Sequence, residues 1–182
     1  LDKLRDFDGM IQTINDLLSR ERPESFSSSW ISKRAPHCYR YIRQNVRTDF
    51  GSVEVLNGGD LYVSQDVHIT NGELRVDGRP SAGGPSQFDA LGSVFVGGPG
   101  SANLLALWNA ARGGIEGNLI IGQDGEGAAI LWGAANTAHP TQLDVVDPAA
   151  GLCVIGHTYD GGVSLDDGGL FRCRNIQLGQ AG

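Results

Sequence analysis

The chain has 182 residues, a mass of 19.3 kDa and a formal net charge of −7. This length suits one ordinary domain with an appendage. No apolar run approaches the ~18 residues that span a bilayer, so membrane insertion is not expected. Glycine supplies 27 residues, mostly in breaks between apolar pairs, and this distribution is typical of a turn-rich β protein.

The N-terminal residues 1–21 are predicted to form a helix. Their apolar residues recur at alternating spacings of three and four, which is the a/d rhythm of a coiled coil. Isoleucine at both a and d positions favours a trimer over a dimer. An amphipathic helix packed on its own domain would show the same pattern. The predicted seam consists of Leu4, Phe7, Ile11, Ile14 and Leu18.

Charge divides the chain near residue 50. Residues 1–50 carry nine Lys or Arg against seven Asp or Glu, whereas residues 51–182 carry five against fourteen. The acidic part would repel nucleic acid, so none is expected as a partner. The basic stretch within residues 1–50 is interpreted as an anchor that docks on an acidic protein, or as a solvated face. Its basic residues are Lys33, Arg34, Arg40, Arg43 and Arg47.

Between Gly59 and Gly78 three apolar pairs are separated by Gly, Asn or Asp, and Val53/Val55 just upstream forms a fourth pair. Alternation with period two predicts short strands, with Tyr62, His68 and Arg75 on the opposite face. Such strands must stack on copies of themselves, from the same chain or from others. Residues 53–76 make scarcely more than one coil of a monomeric β-helix, which would leave both its edges open. Residues 51–78 are therefore predicted to be a neck shared by three chains, whose axis is faced by Leu61, Val63, Val67, Ile69, Leu74 and Val76.

A linker is predicted at 79–86, which is rich in Pro, Gly and Ser. Beyond it, apolar pairs return and, after the first of them, recur at intervals of roughly nine to thirteen residues, which suits hairpins. Residues 87–182 are predicted to form a Gly-rich β-sandwich or β-barrel-like domain, with one short helix at 102–112. The pairs are Val94/Val96, Leu119/Ile121, Ile130/Trp132, Leu143/Val145, Cys153/Ile155 and Val163/Leu165, followed by Leu170.

No metal, cofactor or catalytic residue is predicted. The three cysteines show no CxxC spacing and are interpreted as reduced, buried thiols. Cys153 and His157 stand four apart, but a strand–Gly–turn context does not suit a zinc site. Residues 122–127 and 164–169 resemble calcium-binding turns without the full ligand spacing, and Asp-Gly is foremost a turn signal.

Acidic and aromatic residues after position 100 leave two functions open. A glycan-degrading site needs two carboxylates beside an aromatic that stacks on a sugar. The carboxylate candidates are Asp124, Glu126, Asp144, Asp160, Asp166 and Asp167. In a protein without catalytic activity, the aromatic residues of this region would contact a glycan or a receptor. Alternatively, the tryptophans pack in the core. These candidate receptor contacts are Trp108, Trp132 and Tyr159.

The cadence of residues 59–78, Gly-x-Leu-x-Val…Val-x-Ile…Gly-x-Leu-x-Val-x-Gly, resembles the shaft repeats of bacteriophage tail fibres and related virion appendages. The resemblance covers twenty to twenty-six residues and implies a homotrimeric, rod-like β structure that contacts the host surface. It also implies a place on the virion, where the N-terminal part docks on other virion structural proteins. The alternatives are a bacterial β-structured surface or scaffold protein and a polysaccharide-degrading spike enzyme.

Overall fold

The fold is a parallel β-solenoid, in which one chain winds through three parallel sheets. The structure is a computed structural model. It describes residues 39–42, 46–47, 51–56, 58–79, 85–99, 103–133, 139–146 and 151–179, with side chains from residue 52 onward. None of these residues forms a helix long and apolar enough to cross a membrane.

The described residues form six successive coils, the last of which has two strands. Coils 1 to 3 contain β1 (Tyr39–Ile42), β2 (Val46–Arg47), β3 (Gly51–Leu56), β4 (Asp60–Val63), β5 (Val67–Ile69), β6 (Gly72–Asp77), β7 (Gln87–Ala90), β8 (Val94–Val96) and β9 (Leu104–Trp108). Coils 4 to 6 contain β10 (Arg112–Ile115), β11 (Leu119–Ile121), β12 (Gly127–Trp132), β13 (Gln142–Val145), β14 (Leu152–Ile155), β15 (Gly161–Asp166), β16 (Leu170–Cys173) and β17 (Asn175–Leu178).

Each strand pairs with the equivalent strand of the next coil. Sheet A has the order β1-β4-β7-β10-β13-β16, sheet B has β2-β5-β8-β11-β14-β17, and sheet C has β3-β6-β9-β12-β15. All the pairings are parallel. Equivalent residues therefore form columns that run along the solenoid.

Apolar side chains at alternate strand positions fill the interior. In coil 3 the inward residues include Phe88, Val94 and Leu105, all fully buried. Each such side chain contributes roughly 1.5–3 kcal/mol by leaving water. The alternation predicted for residues 53–76 is confirmed, because all four apolar pairs of that segment are buried inside the solenoid.

The residues against which those apolar pairs pack differ from the prediction. The six residues that the sequence assigned to a threefold axis, from Leu61 to Val76, are 0–2 % exposed within one chain. They pack on inward residues of neighbouring coils, such as Phe88 and Val94. The apolar packing that was predicted to involve three chains is thus present within one chain.

The predicted β-sandwich or β-barrel-like domain is absent from the described part of residues 87–182. Strand β4 pairs directly with β7 and β6 with β9, so the sheets continue past the predicted linker. The predicted helix at 102–112 is also wrong, because Leu104–Trp108 is strand β9 and buries Leu105 and Leu107. One predicted pair and one single residue have the wrong face. Ala129 and Leu131 point inward instead of Ile130 and Trp132. In β16, Phe171 and Cys173 pack on the core instead of Leu170.

Small and amide residues let the chain turn between sheets B and C. The Asn103 side chain is buried, accepts a hydrogen bond from the backbone N–H of Asn71, and donates to the carbonyl of Glu126 at 2.7 Å. It therefore links coils 2, 3 and 4 at one corner. At the same corner, a Cβ on Gly125 would lie 1.8 Å from the carbonyl oxygen of Gly98, so only glycine fits this close approach.

A disulfide joins Cys153 of β14 to Cys173 of β16. The prediction of reduced thiols is wrong for these two residues, because the winding of coils 5 and 6 brings together cysteines of sheets B and A that lie 20 residues apart. Cys38 lies outside the described residues. The predicted helix at 1–21, its seam, and Lys33, Arg34 and Arg43 also lie outside them; Arg40 and Arg47 lie in β1 and β2, where only the backbone is described.

Candidate functional site

The outer face of sheet C carries a column of large side chains at the ends of its strands. In this column Asp77 of β6, Trp108 of β9, Trp132 of β12 and Asp166 of β15 lie in register. Parallel neighbours are about 4.8 Å apart, so two indoles on adjacent strands must touch. The solenoid thus joins residues that lie 24 positions apart in the sequence, and we call Trp108 and Trp132 the tryptophan pair.

Trp108 is the covered member of the tryptophan pair. The guanidinium carbon of Arg75 lies 4.0 Å from the centre of its ring, a cation–π arrangement. On its other side the Trp132 ring lies at 5.9 Å with an interplanar angle of 58°. The indole nitrogen of Trp108 and Nε of Arg75 are buried without a hydrogen-bond partner. Trp108 is half-buried between Arg75 and Trp132 and therefore supports its neighbour.

Trp132 is the exposed member of the pair, with 48 % of its surface open to solvent. Its indole nitrogen donates a 2.7 Å hydrogen bond to Oδ2 of Asp167. Asp167 lies in the turn after β15 with a φ of 47°, a left-handed conformation that Asp tolerates better than most residues. The turn is closed by a hydrogen bond from Gly169 N–H to the carbonyl of Asp166. The Asp-Asp-Gly-Gly sequence thus fixes the orientation of an exposed indole.

Tyr159 lies away from the tryptophan pair. It is exposed and belongs to the corner before β15, where its N–H donates to the carbonyl of Gly122. Trp132 is in register with Asp166, at the other end of β15. Five residues of extended strand separate these ends by about 16 Å. Of the three predicted receptor contacts, the fold therefore brings together Trp108 and Trp132 and leaves Tyr159 apart.

The six carboxylates proposed from the sequence are spread over three places. Asp124, Glu126 and Asp160 lie at corners between sheets B and C, Asp166 and Asp167 lie at the end of β15, and Asp144 lies on the outer face of sheet A. Among the described residues, no group of three or more His, Cys, Asp or Glu side chains could hold a metal ion. Cys153 is bonded to Cys173 and is not available to zinc beside His157.

A carboxylate pair that the sequence analysis missed lies on the outer face of sheet A. Asp89 and Asp144 occupy one column on either side of Gly114. Their strands share a Gln-x-Asp motif in which the Gln side chain hydrogen-bonds to the Asp, Gln87 to Asp89 and Gln142 to Asp144. Oδ1 of Asp89 lies 2.6 Å from where a Cβ of Gly114 would be. The repeated motif was the signal in the sequence that could have revealed this pair.

Asp89 is expected to make stability depend on pH. Burial raises its pKa above the ordinary value of 3.8, and the hydrogen bond from Gln87 opposes this only partly. The folded protein then holds this proton more tightly than the unfolded chain, so the contribution of Asp89 to stability falls as pH rises above 3.8. Asp89→Asn should gain stability relative to the wild type between pH 3 and pH 6 in urea unfolding. A difference that is constant over this range would contradict the expectation.

Comparison of the chain with models of protein families, with curated proteins and with solved structures found no match in any of the three.

Proposed function

We propose that this chain is a structural and adhesive component of a virion appendage, a tail fibre or spike, which exposes the outer face of its solenoid to the host surface. The observation that carries the proposal is the continuous single-chain stack of apolar layers. Five steps of about 4.8 Å from β1 to β16 give a stack about 24 Å long. A fully packed stack suits a rod that transmits force and presents flat faces.

Two further features support an extracellular structural role. The disulfide Cys153–Cys173 suits an oxidising compartment, such as a particle surface. At the C-terminal end, inward-type side chains lie open, with Leu165 at 49 %, Ile176 at 53 % and Leu178 at 72 % exposed. Apolar side chains exposed in this way suit contact with another protein surface.

The proposed assembly is a homotrimer. Because the described solenoid satisfies its own core, the trimer contact is assigned to the heptad seam predicted in residues 1–21. The basic residues from Lys33 to Arg47 are proposed to dock this N-terminal part on other virion structural proteins. No nucleic acid, cofactor or membrane insertion is part of the proposal.

Native mass spectrometry tests the assembly. Three copies of the 19.3 kDa chain should give a particle of about 58 kDa. A variant with Ile11→Asp and Ile14→Asp should give a monomer with an unchanged β-type circular dichroism spectrum, because a charged seam cannot associate. A monomeric wild type, or a trimer that survives the double substitution, would contradict the proposed contact.

A polysaccharide-degrading spike is the second candidate. The pair Asp89 and Asp144, separated by Gly114 on sheet A, favours it, because two strand steps place the backbones about 10 Å apart. Inverting glycosidases hold two carboxyl groups about 6.5–9.5 Å apart. Shortening of a polysaccharide by the wild type, lost in Asp144→Asn, would assign this activity. A bacterial surface or scaffold protein remains the third candidate, with the same rod and no particle.

A further inference from the structure

We propose that the outer face of sheet C around Trp132 binds a neutral glycan chain, with a sugar ring stacked on the exposed indole and its hydroxyl groups hydrogen-bonded to Asp166 and Asp167. The inference rests on the adhesive part of the proposed function and adds its ligand class. Four features of the site support it. They are the ordered indole of Trp132 (the platform), the short outward side chains of β15 beside it (the shelf), the hydrogen-bond acceptors of Asp166 and Asp167 (the rim), and the negative charge of these two carboxylates.

The indole of Trp132 is held in one orientation before a ligand binds. The hydrogen bond from Trp132 to Asp167 and the contact with Trp108 hold the indole from two sides, while Arg75 holds Trp108 in turn. A side chain that is already ordered loses little conformational freedom on binding. Exposed aromatic rings with this degree of support are suited to stacking on the apolar face of a sugar.

The shelf lies on strand β15, the last strand of sheet C among the described residues. Its outward residues next to β12 are Gly162, Ser164 and Asp166. A Cβ on Gly162 would meet no atom within 4 Å, and all three residues are exposed. Because these side chains are short, the indole of Trp132 stands above them. A chain of sugars can therefore lie along the shelf with one ring against the indole.

The rim supplies hydrogen-bond acceptors. Asp166 and Asp167 are exposed carboxylates, and an ionised carboxylate can accept about four hydrogen bonds. The Asp167 oxygen that accepts from Trp132 leaves further acceptor positions on the same group. Arg75 lies on Trp108, and Arg79 pairs with Asp77 at 3.2 Å. Sugar hydroxyls match this rim, because they donate hydrogen bonds to carboxylates.

The negative charge of Asp166 and Asp167 discriminates among the possible ligands of this face. An anionic polysaccharide would face the carboxylates of Asp166 and Asp167, and like charges brought together oppose binding. A second copy of this chain, related by a two-fold axis, would bring the same two carboxylates against their equivalents. A neutral glycan is not repelled by these carboxylates and is therefore the proposed ligand.

Affinity electrophoresis of the wild-type protein in native gels tests this inference. The probes are three neutral polysaccharides (dextran, galactomannan and hydroxyethyl cellulose) and the anionic polysaccharide alginate. At least one neutral polysaccharide should retard the wild type, and alginate should not. Trp132→Ala should weaken the retardation by at least about tenfold, as for a central aromatic contact. Trp132→Phe, which keeps an aromatic face, should retain most of it.

Two variants keep the result decisive if Trp132→Ala is poorly folded. Ser164→Arg covers the shelf from an exposed position and should also abolish retardation, whereas Tyr159→Ala removes an equally exposed aromatic about 16 Å away and should leave it unchanged. Retardation by none of the neutral probes, retardation by alginate alone, or equal retardation of Trp132→Ala and the wild type would overturn the proposal. The native mass is measured in the absence of glycan, so the trimer and the glycan site can fail separately.

Discussion

Val67→Asp is expected to unfold the solenoid around coil 2. Val67 is completely buried, in register with Val94 of the next coil. A carboxylate at this position would be surrounded by apolar side chains and would have no partner. The cost is expected to exceed about 4 kcal/mol, which is a large part of the 5–15 kcal/mol that stabilises a typical domain. Urea unfolding followed by circular dichroism measures it.

The neighbouring residue provides the matched control. His68 points outward, and its ring stacks on Phe95 with a centroid distance of 4.7 Å and an interplanar angle of 7°. His68→Asp loses this contact and should cost only about 1 kcal/mol. The same carboxylate is thus placed on either face of one three-residue strand. Equal effects of the two substitutions would refute the assignment of inward and outward faces.

Removing the disulfide is expected to destabilise the C-terminal coil by about 3 kcal/mol. Cys153 and Cys173 are 20 residues apart, and closing a loop of this size restricts the unfolded chain by roughly that amount. The loss should be concentrated in β16 and β17, because among the described strands β16 pairs only with β13 and β17 only with β14. Cys153→Ala combined with Cys173→Ala should increase amide hydrogen exchange there before it affects coil 3.

Thiol counting tests the bond directly. The protein denatured without reductant should show one reactive thiol, from Cys38, and three after reduction. Cys38→Ser is the control and should leave both the unfolding midpoint and the exchange pattern unchanged. Three thiols in the absence of reductant, or equal exchange in β16 with and without the bond, would contradict the expected role of the disulfide.

The strand pattern could be predicted from the sequence where alternation was strict. In each apolar pair from Leu61 to Val76, a single outward residue separates the two apolar ones, and each predicted face agrees with the observed burial. The prediction failed at Gly127–Trp132 because the stretch Ala-Ala-Ile-Leu-Trp is apolar on both faces. Alternation with period two cannot then choose between Ala129 and Ile130. It failed again at Leu104–Trp108, where consecutive apolar residues fit a short helix as well as a strand.

The candidate site could be predicted only in part for a related reason. Trp108 and Trp132 were singled out by residue type, but their contact requires that β9 and β12 pair in one register. Nothing local to either tryptophan specifies a partner 24 residues away. Asp89 was missed because its role comes from a column shared with Gly114 and Asp144, which only the stacking of coils creates.

The sequence by itself determined the short strands, the glycine- and asparagine-rich turns, and the inward faces of the first regular coils. Local alternation and turn chemistry suffice for these features, since each depends on residues a few positions apart. Only the tertiary structure decided that every later strand joins the same three sheets. The insertions at the corners, such as residues 79–86, change the spacing between strands without changing their register. The repeat is therefore regular in space while it is irregular along the chain.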